Sequence, residues 1–89
     1  MKLTHLMSEL VKRNGSDLHL TGDSCPFFRV QGQIMPASNE QYNCAELKSD
    51  LEKLLGSQKL AKFEKEKELD CSYGLEGIAR FRINIFLDR

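Results

Sequence analysis

Ile78-Ala79-Arg80-Phe81-Arg82-Ile83-Asn84-Ile85-Phe86-Leu87-Asp88-Arg89 is the stretch that decides the fold. It alternates with a period of two. Ala79, Phe81, Ile83, Ile85 and Leu87 point one way, and Arg80, Arg82 and Asn84 point the other. β-branched and aromatic residues dominate it, as a half-buried pleated surface favours. The pattern predicts a strand with one face on a core and the other open to something polar. The rest of the chain reads as the layer that covers the apolar face, and function is expected on the face that carries the arginines.

Working back to the start, Leu3, Leu6, Met7, Leu10 and Val11 fall on one face of a helix. Lys12 and Arg13 suit its carboxyl-terminal dipole end, and Gly15 after Asn14 is the expected stop. His5 lies on the solvent side of this helix. Ser16 to Thr21 alternates again, with Leu18 and Leu20 inward and Asp17, His19 and Thr21 on the opposite face. Gly22-Asp23-Ser24 and Pro26 form a turn. Phe27 to Gln31 is a second strand, with Phe28 and Val30 on one side and Phe27, Arg29 and Gln31 on the other. Gly32 reverses the chain into Gln33-Ile34-Met35, and Pro36 ends that strand or holds it at an edge.

Ala37 to Tyr42 reads as a polar loop. Asn43 caps a helix, with Glu46 in capping-box position and Leu47, Leu51, Leu54 and Leu55 as its buried stripe. Gly56 stops it and Ser57 can cap the next helix. That helix turns Leu60 and Phe63 inward and a mixed charge run, Lys62 to Glu68, outward. Leu69, Cys71, Tyr73 and Leu75 alternate with Asp70, Ser72 and Gly74. Glu76-Gly77 turns the chain into the final strand, giving an antiparallel hairpin. The predicted order is helix, three strands, two helices, two strands. Helices on one face of an antiparallel sheet make an α+β two-layer domain.

The chain has 89 residues, enough for one small domain (residues 1–89) with a modest core. Thirteen basic residues balance thirteen acidic ones, which argues against a general nucleic-acid or membrane-surface binder. Three dispersed cysteines without a C-x-x-C pair fit a reduced, cytosolic chain. There is no apolar signal core, and no stretch approaches the roughly 20 apolar residues of a membrane span.

Little of the sequence carries chemistry. His19, two residues from Asp17, could be a general base oriented by a carboxylate. No nucleophile can be placed beside it, and a hydrogen-bonded strand histidine or one at a domain contact is the plainer reading. Two histidines and three scattered cysteines give no metal-ligand spacing. Neither G-x-x-x-x-G-K-[ST] nor G-x-G-x-x-G occurs, so the chain is not an enzyme by itself. Arg80 and Arg82, at i and i+2 on a strand, place two guanidinium groups on one face about 6–7 Å apart. Asn84 continues the row. Such forks suit phosphate or carboxylate; a surface ion-pair row with Asp70 is the plainer alternative.

Three segments taken together resemble a known family. They are Gly15-Ser16-Asp17-Leu18-His19-Leu20-Thr21, Pro26-Phe27-Phe28-Arg29-Val30-Gln31-Gly32-Gln33-Ile34 and Ala79-Arg80-Phe81-Arg82-Ile83-Asn84-Ile85-Phe86. In order and spacing they are similar to the amino-terminal domain of the PilT-like pilus-retraction ATPases of twitching motility, within the type II/IV secretion ATPase superfamily. Glu68-Leu69-Asp70-Cys71-Ser72-Tyr73 adds to the likeness, which covers nearly the whole chain. The resemblance implies a PAS-like module followed by a RecA-like ATPase domain. It implies a hexameric ring at the cytoplasmic face of the inner membrane, where ATP hydrolysis drives pilus retraction. The partners implied are the ATPase domains of the same and neighbouring subunits and the pilus machinery, with no nucleic acid.

On the same resemblance, Arg80 and Arg82 match the family's R-F-R-x-N arginines, which approach nucleotide phosphates. Arg89 matches the arginine that closes the segment, although the glycine that normally follows is missing. Asp17, His19 and Asn84 are expected at the domain interface. ATP and Mg belong to the full-length parent and no cofactor to this stretch, since the phosphate-binding loop and the acidic motifs are absent. The 89 residues are therefore expected to be part of a longer ATPase and to bind no nucleotide alone. The alternative is a free-standing PAS-like sensor or adaptor for a small ligand or a partner protein.

Overall fold

The computed structural model describes residues 1–75 and 79–86. The expected Glu76-Gly77 turn, Ile78, Leu87 and Arg89 lie outside the described residues, as do the facings of the Leu75 and Ala79 side chains. The elements run α1 (Lys2–Lys12), β1 (Asp17–Thr21), β2 (Phe27–Val30), β3 (Gln33–Pro36), α2 (Cys44–Leu55), α3 (Ser57–Glu66), β4 (Glu68–Leu75) and β5 (Ala79–Phe86). This is the predicted α+β order. Among the described residues no helix is long and apolar enough to cross a membrane.

The strands form one sheet in the order β3-β2-β1-β5-β4. β2 with β3, β1 with β2, and β4 with β5 pair antiparallel, as hairpin neighbours should. The central pair departs from the expectation of an all-antiparallel sheet, because β1 and β5 run parallel, Asp17 beside Arg82 and Thr21 beside Phe86. Alternation encodes which face a side chain takes and says nothing of strand direction. The direction is set by the connection, here β2, β3, two helices and β4 long, and a parallel pair requires such a long crossover. Arg82 N–H to Ser16 O and Gly22 N–H to Phe86 O, each 2.9 Å, tie both ends of the seam.

All three helices cover the same side of the sheet. Leu3, Leu6, Met7 and Leu10 of α1, Leu47 and Leu51 of α2, and Phe63 of α3 meet Leu18, Leu20, Phe28, Phe81, Ile83 and Ile85 in one buried cluster. These are the inward residues that periodicity assigned. Leu60, Leu69, Cys71 and Tyr73 pack partly buried at its margin. Among the described residues the opposite face of the sheet carries no helix.

Local chemistry places the ends of the elements. Gln31 and Gly32 both have positive φ, as a two-residue hairpin turn twisted to match its strands requires. Asn43 Oδ1 accepts from the backbone N–H groups of Ala45 and Glu46, which confirms the cap. Ser57, expected to cap α3, is instead its first residue; Gly56 takes the cap position and offers no side chain.

At the end of α1 the left-handed residue is Asn14, not Gly15. Gly15 N–H bonds to Leu10 O at 2.9 Å and Asn14 N–H to Val11 O at 3.0 Å, a Schellman closure. Gly15 is needed for space: an added Cβ would stand 2.1 Å from Leu10 Cδ1 and 3.2 Å from Arg29 O. Leu10 is fully buried and cannot swing aside. Gly15→Ala should therefore cost about 1–3 kcal/mol, read as a lower urea midpoint with an unchanged slope.

Tyr42 corrects the reading of residues 37–42 as a plain polar loop. Its ring is fully buried, and its O–H donates to Asp50 Oδ2, a carboxylate that is itself buried on α2. Lys2 Nζ sits 5.2 Å from the ring centroid. Burial, then the bond to Asp50, raises the phenol above its ordinary value. The folded phenol stays protonated while the unfolded one ionises near pH 10, so stability is full below that pH and declines above it. Tyr42→Phe should cost about 1–3 kcal/mol at neutral pH by stranding the buried carboxylate, and should flatten the decline above pH ~10. Unfolding curves across pH 7–11 check both.

Candidate functional site

The uncovered face of the sheet is a grid fixed by strand register. One row runs Ile34, Arg29, Asp17, Arg82, Ser72 across β3, β2, β1, β5 and β4. The next runs Pro36, Phe27, His19, Asn84, Asp70. Thr21, Phe86 and Glu68 form a third, and Arg80 stands opposite Gly74. The face collects every described residue expected to carry function: Asp17, His19, Arg80, Arg82 and Asn84.

The arginines are exposed. Arg82 Nη2 donates to Asp70 Oδ2 at 2.7 Å, with both side chains more than half exposed. The ion pair with Asp70 therefore exists, and it leaves the guanidinium open to solvent. Asp70, then Asp17 at longer range, holds the guanidinium more firmly protonated than usual. Arg80 Nη1 donates to Ser72 Oγ at 3.2 Å. Neither arginine reaches into the core.

Asp17 lies on the expected face, yet only 8% of it is exposed. It accepts from Ser16 Oγ at 2.6 Å and lies 3.9 Å from Arg29 Nε. Its bonds go to these neighbours and not to His19, so the carboxylate-oriented general base is not formed. His19 is half-buried, and its Nε2 is a buried atom with no hydrogen-bond partner among the described residues. A shallow hollow of about 380 Å³ is lined by Asp17, His19, Arg29, Arg82, Asn84 and Phe86. A second, of about 520 Å³, lies between this face and the end of α3, where Lys62, Glu66, Glu68 and Asp70 share Asn84 and Phe86 with the first.

The sequence reading missed Arg29 and the exposed apolar residues. Phe27, Ile34 and Phe86 are 42%, 52% and 41% exposed on this face. Alternation had already set Phe27 and Arg29 opposite Phe28, and that was the available signal. Large apolar groups beside arginines give this face the composition of a contact surface.

No protein-family model matches the chain. Two curated proteins of Pseudomonas aeruginosa do. The type IV pilus retraction ATPase PilT is 29% identical over 86 residues, 97% of this chain. The type IV pilus ATPase PilU is 26% identical over all 89 residues. The chain spans 25% of the first and 23% of the second. The resemblance read from the three segments is thus borne out: along 97% or more of its length the chain is similar to about one quarter of each of two type IV pilus ATPases.

Proposed function

We propose that the chain is the amino-terminal regulatory and assembly domain of a hexameric ATPase that powers type IV pilus retraction. In this reading residues 1–89 form a PAS-like module ahead of a RecA-like ATPase domain, at the cytoplasmic face of the inner membrane. The helix-free face packs on the ATPase domain of the same or a neighbouring subunit. Arg80 and Arg82 turn their guanidinium groups toward the phosphates of nucleotide bound there, with Asp17, His19 and Asn84 at the contact. Arg89, outside the described residues, is given the same part on the resemblance alone.

One observation carries the proposal. Arg80 and Arg82 stand side by side and exposed, each tied by one side-chain hydrogen bond among the described residues. A guanidinium has five N–H donors, so each retains several for phosphate oxygens. ATP and Mg fit this chain only as a contributor. It offers cationic forks, and among its described residues no group of three or more His, Cys, Asp or Glu could hold a metal ion. When bound, nucleotide and metal supply the phosphoryl chemistry; this chain's residues bind charge and orient the docked face. The test is turnover and twitching of the full-length ATPase carrying Arg80→Ala, Arg82→Ala, or both. Loss of both readouts supports the assignment, and wild-type values in all variants refute it.

A further inference from the structure

Arg80 and Arg82 do not face their register partners. Arg82 stands opposite Ser72 but bonds to Asp70; Arg80 stands opposite Gly74 but bonds to Ser72. Each leans by the same two-residue diagonal along β4, so the two guanidinium groups are displaced in one sense. The row Gly74, Ser72, Asp70 suits this. Its first member has no side chain to obstruct Arg80, its second is small enough for Arg82 to pass over while its hydroxyl accepts from Arg80, and its third is the carboxylate that ends the row. Diagonal neighbours in an antiparallel pair lie about 7–8 Å apart, within reach of a long side chain. A free arginine spreads over many rotamers, and this row selects one direction for both.

We propose that Asp70 is a positioning residue for Arg82, with Ser72 in the same part for Arg80. The inference rests on the proposed function and deepens it. Asp70 touches no nucleotide; it takes the Nη2 edge of Arg82 and leaves the other N–H groups presented in a set direction. The effect on phosphate is indirect, through fewer arginine conformers to freeze when charge develops. The carboxylate is exposed, so removing its charge leaves the fold in place.

The experiment compares Asp70→Asn, Asp70→Glu and Arg82→Ala in the full-length ATPase, with steady-state ATP kinetics. Asp70→Asn should lower kcat about three- to five-fold, the range an exposed pair can carry, with KM for ATP changed by less than about two-fold. Asp70→Glu, which restores the charge, should recover most of the loss. In the 89-residue chain, nitrogen-15 NMR should find rotation of the Arg82 guanidinium hindered, and Asp70→Asn should speed it; equal rates in the two chains would count against the positioning role. Wild-type or faster turnover in Asp70→Asn, with Arg82→Ala impaired, overturns the positioning role alone. Wild-type turnover in Arg82→Ala overturns the part given to Arg82, and wild-type turnover in Arg80→Ala and the double variant as well overturns the reading beneath it.

Discussion

Alanine at both Arg80 and Arg82 of the proposed full-length ATPase should lower kcat by at least about 10²-fold, with the fold unchanged. Both residues lie on the solvent side of β5, and their removal leaves Phe81, Ile83 and Ile85 in the core untouched. Stability should therefore move little. Catalysis should move a great deal if these forks meet charge that develops on phosphate. Removing one preorganised donor of this kind typically costs 10²–10³-fold, and an arginine supplied to a phosphoryl group can carry more. Lysine at both positions should restore only part of the rate, because an ammonium keeps the charge and loses the planar fork. Turnover at saturating ATP, with the circular dichroism of each variant, separates the outcomes. A variant that folds and turns over normally would make the arginines surface groups.

The largest effect on stability is expected from Phe63→Ala. Phe63 is the single fully buried residue of α3, whose other described residues are exposed or half-buried. α3 has no side-chain N-cap bond, so its place on the sheet depends on this ring. Losing a buried phenylalanine costs about 3–5 kcal/mol. A domain of this size has roughly 5–10 kcal/mol in total, so the variant should be largely unfolded at moderate temperature. Thermal unfolding of the 89-residue chain checks it; a midpoint within a few degrees of wild type would show that α3 docks by other means.

How far the sequence could be read follows from what each pattern encodes. Period-two alternation assigned Phe81, Ile83 and Ile85 to the core and Arg80 and Arg82 outward, because the pleat alone decides this. The stripe of α1 and the cap at Asn43 were legible because their partners lie within a few residues. The parallel seam of β1 on β5 was not, since nothing local distinguishes strand directions. Nor was the link of Asp17 to Arg29, which exists only once the hairpin register sets them side by side. Tyr42 and Asp50 were missed for another reason. Asp50 falls on the Leu47–Leu51–Leu54 side of α2, and a carboxylate on a buried stripe implies a buried donor. That signal was present, but the donor sits in a loop whose path the sequence does not give.

On the open face, alternation placed Phe27 opposite Phe28 without saying which face the helices would leave bare. Similarity to the two pilus ATPases bears on the whole chain and not on single side chains, so the parts given to Arg80, Arg82, Asp17, His19 and Asn84 rest on geometry and on the resemblance of the segments, and that of Arg89 on the resemblance alone.

The most direct test is the structure of the proposed full-length hexamer with a non-hydrolysable nucleotide bound. The account predicts guanidinium nitrogens of Arg80 or Arg82 within about 3 Å of phosphate oxygens, with Phe27 and Phe86 covered by an ATPase domain. Both arginines in solvent, over a sheet face that nothing covers, would contradict it.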